Sequence, residues 1–221
     1  MESSKERYIP ALGYSLLTPL YDPIVALTCR EKTFKRKLLE QSDIRHGHKI
    51  LDLGCGTGTF AVQIKNTIPE TEVISIDGDS AVLDIASKKA MKEKVDIHFQ
   101  CCLSTNLPFS NNTFDRVVSS LFFHHLNYAQ KMKTTKEVFR VLKDGGQFHV
   151  ADWGKPTNKL MRFLFYSIQI LDGFNTTTDN INGRLPEIFQ KCGFESIVIC
   201  KNYSTVFGTM TLYSAIKQNV T

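Results

Sequence analysis

The residues best placed to do chemistry are three glycines at alternate positions, Gly54, Gly56 and Gly58, which directly follow the strand-like residues 50–53, I-L-D-L. Glycine adopts positive φ without a Cβ clash, so a loop of this kind lets the backbone approach a ligand closely. Residues 59–65 can begin a helix. A buried strand, a glycine loop and a helix in this order are typical of the nucleotide-binding corner of a doubly wound α/β sheet.

The glycine spacing separates the classes of nucleotide site. A nicotinamide or flavin fingerprint needs G-x-G-x-x-G, but Thr59 stands where the third glycine would be. A P-loop closes with a Lys-Ser/Thr pair, which this loop lacks. The remaining pattern, D-x-G-x-G-x-G with Asp52 as its acid, resembles motif I of the class I S-adenosylmethionine (SAM) methyltransferases.

Four further segments extend the resemblance in order. Residues 73–77 are an apolar strand that ends in Asp77, and L-P-F follows at 107–109. Later come F-D-x-V-V-S-S-L-F-F-H-H-L at 114–126 and R-V-L-K-x-G-G at 140–146. Together these segments resemble the ubiquinone/menaquinone-biosynthesis type of small-molecule methyltransferase. The resemblance is firm over residues 45–155 and weak in the flanks.

The resemblance implies S-adenosyl-L-methionine as cofactor and a role for each residue of its site. The glycine loop would let the backbone pass under the methionine and the ribose, and Asp77 would accept hydrogen bonds from both ribose hydroxyls. Asp52 either holds the methionine ammonium or caps the loop backbone. The predicted cofactor-binding residues are Asp52, Gly54, Cys55, Gly56, Gly58, Asp77, Gly78, Leu103, Ser104, Ser119 and Leu121.

One position departs from the family pattern. In G-D-A-x-x-L-P-F the acid accepts a hydrogen bond from the adenine amino group, and alignment on residues 107–109 places Leu103 there. Leucine cannot accept a hydrogen bond. We therefore expect adenine to be held by backbone groups near Leu103 and Ser104 and by apolar contact, with weaker binding unless another contact compensates.

The catalytic group is less defined than the cofactor site. His124 and His125 follow the fourth strand, and either imidazole could deprotonate a hydroxyl, an amine or a carbon acid. Alternatively, the pair begins a helix or packs beneath the cofactor. Tyr14 and Tyr21 resemble a Y-S…Y-D pattern ahead of the sheet, where they could shield the sulfonium or pack in the core.

The predicted acceptor is a small apolar or amphipathic molecule. Asp152 and Trp153, after the fifth strand, are expected to line its pocket. Aromatic side chains would form the rest of an apolar cavity. These are Phe122, Phe123, Phe163, Phe165 and Tyr166.

Composition is typical of a globular soluble protein and limits the partners that we expect. The 221 residues are 42% hydrophobic and 22% charged, which predicts one domain with a sizeable core. The six cysteines form no C-x-x-C pair, so we expect reduced thiols in a cytosolic (cytoplasmic) protein, with no disulfide framework and no metal site. No signal peptide is visible, and no apolar run reaches the ~18 residues of a membrane span.

The net charge of +5 is partly concentrated in residues 30–49. RNA binding would require aromatic residues interleaved with these basic ones, and only Phe34 is nearby. We therefore expect a solvated helix face and no nucleic-acid partner.

Strands near 49–53, 72–76, 96–101, 114–119 and 147–152 alternate with helices, which predicts a doubly wound α/β fold with a parallel sheet. Residues 196–201 and 208–216 follow as an antiparallel pair, and the resemblance implies a seven-stranded, mostly parallel sheet whose last strand is antiparallel. The expected single domain comprises an N-terminal helical cap (1–48), a SAM-binding core (49–154), a lid-like insertion (155–183) and a C-terminal helix and strand pair (184–221). Within the insertion, residues 175–183 are polar and predict a loop, and the insertion either covers the acceptor or packs on the sheet.

Three other functions compete with small-molecule methylation. The chain could bind SAM without turnover, since no base is obvious. It could methylate RNA or protein, although S-S-L-F at 119–122 replaces the Asn/Asp-Pro-Pro-Tyr/Phe signature of many nucleic-acid amino methylases. A nicotinamide-dependent dehydrogenase is disfavoured by the glycine spacing.

Overall fold

A computed structural model describes residues 30–218 and places seven strands in a single sheet. The predictions for Tyr14 and Tyr21, and for most of the N-terminal cap, lie outside the described residues. The part of the cap that is described contains a helix whose buried side chains include Phe34 and Leu38.

The strand order across the sheet is β3-β2-β1-β4-β5-β7-β6. The pairs within β1 to β5 are parallel, whereas β7 runs antiparallel to both β5 and β6. This confirms the predicted seven-stranded sheet with its last strand antiparallel. The strands are β1 Lys49–Leu53, β2 Glu72–Asp77, β3 His98–Cys101, β4 Phe114–Ser120, β5 Leu142–Gly154, β6 Glu195–Ser204 and β7 Thr209–Ile216.

Several helices begin at residues whose side chains cap their free N–H groups. Asp79 accepts from the Ala81 amide, and Asn127 forms a capping box with Gln130. A 3₁₀ turn, Phe123–His125, follows β4. The helices are α1 Glu31–Gln41, α2 Thr59–Thr67, α3 Ser80–Glu93, α4 Tyr128–Val141, α5 Lys159–Asp172, α6 Phe174–Ile181 and α7 Leu185–Lys191.

Buried side chains form two hydrophobic clusters, one on each face of the sheet. In β1 the side chains alternate, so Leu51 joins the first cluster and Ile50 joins the second. Helices α4 and α7 cover the first face, whereas α1, α2, α5 and α6 contribute to the second. Helices on both faces explain why the central strands are almost continuously apolar.

Two predicted boundaries are wrong. Strand β5 begins at Leu142 rather than near 147, because Leu142 pairs with Phe114 ahead of a register shift. Residues 175–183 are mostly helical, not a loop, since α6 spans Phe174–Ile181. The hydroxyl of Thr177 donates to the Gly173 carbonyl, and buried polar partners described below hold this polar helix in place.

Among residues 30–218, no helix combines the length and apolarity that a membrane crossing requires.

Candidate functional site

The glycine loop lies where β1 ends and α2 begins. Gly54, Gly56 and Gly58 have φ of +69°, +53° and +73°, in the left-handed region that favours glycine. A Cβ on Gly54 would lie 2.3 Å from the ring of Phe122, and one on Gly58 would lie 2.9 Å from Cβ of Ala86. A Cβ on Gly56 would meet nothing within 4 Å. Close packing therefore requires glycine at positions 54 and 58. The backbone of Gly56, in contrast, borders open space.

Asp77, the last residue of β2, fixes the middle of this loop. Its Oδ2 accepts from the Gly56 amide at 3.0 Å, and its Oδ1 accepts from the Asp79 amide at 3.1 Å. Burial raises the pKa of Asp77, and these amides oppose the shift. Each carboxylate oxygen has a further acceptor position, so the group can hold two additional donors.

Asp52 lies beneath the loop with only 1% of its surface exposed. Burial raises its pKa to about 7, while a hydrogen bond from the Ala61 backbone acts in the opposite direction. Its Oδ2 has no hydrogen-bond partner among the described residues. The carboxyl therefore caps backbone at the start of α2 and also retains a free oxygen, so both predicted roles remain compatible.

Gly78 and Leu103 follow the carboxyl ends of β2 and β3, which pair through Asp77 and Cys101. Leu103 is 40% exposed, consistent with apolar contact to a ligand at this edge. The neighbouring Ser104 is buried and its hydroxyl lies 2.8 Å from that of Thr134. Of the predicted adenine neighbours Gly78, Leu103 and Ser104, only Leu103 presents an exposed side chain.

The side chains of Ser119 and Leu121 make internal contacts. The Ser119 hydroxyl donates to the Leu53 carbonyl at 2.9 Å and so ties β4 to the start of the glycine loop. Leu121, at φ +56°, is 8% exposed and belongs to the second hydrophobic cluster. We therefore expect the side chains of these two residues to support the loop and only their backbone groups to face a ligand.

A buried polar cluster adjoins the loop at the ends of β4 and β5. Asp152 Oδ2 accepts from the amides of Phe122 and Phe123 at 3.0 and 2.7 Å. Its Oδ1 lies 2.8 Å from His124 Nδ1 and accepts from the side-chain amide of Asn180 at 3.1 Å. One carboxylate thus joins the turn after β4 to both β5 and α6.

The two histidines differ in electrostatics. Burial disfavours a proton on His124, but the nearby Asp152 and Asp172 outweigh it and raise the pKa of that imidazole. Burial, then the charges of His124 and Lys131, hold the pKa of His125 well below its usual range. Because both ring nitrogens of His124 face carboxylates, at 2.8 and 3.6 Å, the geometry favours a positioning role over direct contact with an acceptor.

Several members of this cluster were not predicted from the sequence. Lys131 is fully buried, donates to the Thr176 carbonyl and lies 3.5 Å from Asp179. Asp172 of α5 contacts His124 in the turn after β4, and the side-chain amide of Asn180 in α6 donates to Asp152 of β5. Nothing in the local pattern marks these residues, because a polar segment without apolar periodicity resembles a loop until its buried partners are known.

The predicted aromatic cavity is not formed. Phe123 belongs to the cluster on one face of the sheet and Phe165 to the cluster on the other. Phe163 and Tyr166 are 69% and 42% exposed, and Trp153 is buried against Phe165 with ring centroids 5.4 Å apart. The amphipathic character of α5 explains why the cavity is not formed, because Phe165 faces the sheet whereas Phe163 and Tyr166 face outward.

Comparisons with known proteins agree with this architecture. A family model described as a methyltransferase domain matches residues 50–146. The ubiquinone/menaquinone biosynthesis C-methyltransferase UbiE of Blochmanniella floridana is 32% identical over 145 residues, which cover 63% of this chain and 56% of the relative. The demethylmenaquinone methyltransferase of Lactobacillus johnsonii is 26% identical over 210 residues, 85% of each chain. The chain spans little more than half the length of UbiE relatives such as the first.

A solved structure supports the fold. Phosphoethanolamine N-methyltransferase 2 of Haemonchus contortus, in complex with phosphomonomethylethanolamine and S-adenosylhomocysteine, superposes with a TM-score of 0.68 at 19% identity. The superposition covers 85% of this chain and 53% of that one. The motif order, the family model and the curated relatives together show that residues 50–146 match a methyltransferase domain and that the chain is similar to SAM-dependent methyltransferases of the ubiquinone/menaquinone-biosynthesis type.

Proposed function

We propose that this chain binds SAM and transfers its methyl group to a small, apolar or amphipathic acceptor. The observation that supports this most strongly is the pairing of Gly56 with Asp77. A loop glycine with an open Cβ position is held by a carboxylate that keeps acceptor capacity on both oxygens. This arrangement suits a nucleoside whose ribose hydroxyls need a paired acceptor.

The residues at this corner fit the rest of SAM. The unpartnered Oδ2 of Asp52 suits the methionine ammonium, because a buried acceptor without a donor is costly. Gly58, the residue before α2, has no side chain that could cap the helix, so the N–H groups of its first turn that Asp52 does not bind suit the methionine carboxylate. Gly78 and Leu103 would flank adenine, with no side-chain acceptor for its amino group at residue 103.

Methyl transfer places modest demands on the protein. Bound SAM supplies a methyl group that is already activated on a sulfonium. The chain's own residues bind and orient the reactants and exclude water. Phe122, whose ring packs against Gly54, and His124, fixed by Asp152, would hold the turn after β4 in position. No residue is assigned as a general base.

The UbiE relatives are named as C-methyltransferases of ubiquinone/menaquinone biosynthesis, so an electron-rich apolar ring is the first acceptor class to assay. Helices α5 and α6 support an apolar acceptor. Their inward side chains pack on the sheet, whereas Phe163, Ile170 and Phe174 are at least half exposed. We infer that residues 155–183 both pack on the sheet and present an apolar surface to the acceptor. The five described cysteines are free thiols, which supports a reducing, cytoplasmic location.

Calorimetry with SAM, S-adenosylhomocysteine and NAD tests the cofactor assignment. We expect both sulfur nucleosides to bind and NAD not to bind; binding of NAD alone would overturn the assignment. Transfer of label from methyl-labelled SAM is then measured with reduced demethylated quinones and with a small-metabolite extract. Binding without transfer to any acceptor would favour a SAM-binding protein, and transfer to added tRNA would favour an RNA methyltransferase.

A further inference from the structure

Two adjacent histidines after β4 meet the last residue of α5. Nε2 of His124 lies 3.6 Å from Oδ2 of Asp172, and Nδ1 of His125 lies 4.0 Å from Oδ1 of the same carboxylate. One donor atom from each of the three residues lies within 4.8 Å of the others. We propose that His124, His125 and Asp172 form a binding site for a divalent transition-metal ion.

The orientation of His124 suits a metal ligand. Asp152 Oδ1 lies 2.8 Å from its Nδ1, while Nε2 points toward Asp172. Metal-ligating histidines almost always donate their other ring N–H to a carboxylate or carbonyl, which fixes the tautomer and leaves the second nitrogen free to coordinate. Asp152 is itself held by two backbone amides of the following turn, those of Phe122 and Phe123. The ring is therefore oriented before any ion binds.

The buried charges also favour a cation. The side chains of Asp152 and Asp172 are 0% and 8% exposed, so two carboxylates are enclosed beside the imidazoles. The nearby ammonium of Lys131 is paired with the Thr176 carbonyl and with Asp179. A divalent ion held by the imidazoles and Asp172 would bring compensating positive charge to these enclosed carboxylates. Buried charges without compensation are unfavourable, so the cluster is better satisfied by the ion.

Two imidazole nitrogens and one carboxylate oxygen select the kind of ion. Zn²⁺ and its neighbours Co²⁺ and Fe²⁺ accept such mixed ligands, whereas Mg²⁺ and Ca²⁺ prefer oxygen alone. Bonds of about 2.0–2.2 Å would require the three donors to close by about an ångström, which side-chain torsions can supply. Three protein ligands leave a coordination position open, and the turn that carries the histidines also carries Phe122, whose ring contacts the glycine loop.

The test uses the full chain, stripped of metal and titrated with Co²⁺ in the absence of SAM and acceptor, so its outcome is independent of methyl transfer. We expect one Co²⁺ per chain, visible d–d absorption bands and displacement by Zn²⁺. Asp172→Asn and His125→Gln should each weaken binding by about tenfold or more. His46→Gln is the matched control, because His46 is an exposed histidine paired with Glu70 on the surface.

Absence of stoichiometric Co²⁺ binding by the wild-type chain would overturn the proposal, and so would unchanged affinity in both Asp172→Asn and His125→Gln. Binding that is lost in His46→Gln, or in Cys101→Ser at the exposed thiol, would place the ion elsewhere and also overturn it. If the two cluster variants fail to fold, thermal unfolding of the wild-type chain with and without Zn²⁺ tests the proposal instead. The melting temperature should rise with Zn²⁺, fall back with chelator and respond equally in both control variants.

Discussion

Gly56 and Asp77 are joined by a 3.0 Å hydrogen bond from the backbone amide of the glycine to the carboxylate Oδ2, across 21 residues of sequence. The bond couples the loop after β1 to the end of β2, the two places where a bound nucleoside would contact this sheet. It therefore brings the glycine loop together with the later acid, which the sequence predicts as parts of one cofactor site.

Asp77→Asn should weaken SAM binding by about 10- to 100-fold, because the amide replaces one acceptor oxygen by a donor and removes the charge that strengthens both ribose contacts. Calorimetric titration measures the change. Asp84→Asn removes a carboxylate from an exposed position of α3 and is the matched control. Equal affinities in the two variants would show that Asp77 does not contact the cofactor.

Gly56→Ala and Gly47→Ala form a second matched pair. Both glycines have positive φ, and a Cβ would meet nothing within 4 Å in either. Each substitution should therefore lower the free energy of unfolding by about 1–2 kcal/mol through backbone strain alone. Only Gly56→Ala should also weaken SAM binding, since its Cβ enters the space beside the loop. The prediction fails if both variants bind SAM as the wild type does.

Asp52 should make stability depend on pH. Its pKa in the folded chain is about 7, against an ordinary value of 3.8, so the folded state holds a proton that the unfolded state has lost between these values. The contribution of this proton to the free energy of unfolding is fully present below about pH 4. It is lost as the pH rises through about 7, a change on the order of 4 kcal/mol. Asp52→Asn should remove this part of the slope in urea unfolding at several pH values, whereas Asp84→Asn should retain it.

The same carboxyl predicts the pH dependence of cofactor affinity. If the ionised form of Asp52 holds the methionine ammonium, SAM should bind more tightly as the pH rises through about 7, and Asp52→Asn should flatten this profile. Parallel profiles for the wild type and the variant would assign Asp52 to the loop backbone alone.

Leu103→Asp tests the missing acid near adenine. The side chain is 40% exposed, so the substitution should be tolerated structurally and should strengthen SAM binding by about 3- to 10-fold through a new hydrogen bond. Leu103→Asn supplies an acceptor without the charge and should give a smaller gain. An affinity unchanged by either substitution would argue against a lost contact at this residue.

Asp152→Asn should destabilise the fold by about 3–5 kcal/mol. The new amide N–H₂ would face N–H groups that now donate to the carboxylate, and the charge that pairs with His124 would be lost. Trp153 is the single tryptophan of the chain, and its backbone amide donates to Asp152. Unfolding followed by tryptophan fluorescence therefore reports directly on this cluster. A loss below about 1 kcal/mol would mean that the cluster contributes little to stability.

Much of the fold was accessible from sequence because its signals are local. Apolar runs of strand length alternate with helical segments, and this order predicted the parallel sheet and the antiparallel pair that ends it. Boundaries were less accurate where tertiary pairing decided them, as at Leu142, which joins β5 because Phe114 lies opposite. Helix α6 was missed because its stabilising partners lie outside the segment, so its polar composition alone favoured a loop.

The sequence by itself determined the type of cofactor site, since positive φ requires glycine and the spacing of Gly54, Gly56 and Gly58 admits few ligands. Only the tertiary structure brought His124 and His125 to Asp172, and Asp152 to Asn180. The reason is physical. Backbone conformation is encoded by neighbouring residues, whereas a buried polar cluster depends on which distant side chains exclude water from one another, and no local pattern records that.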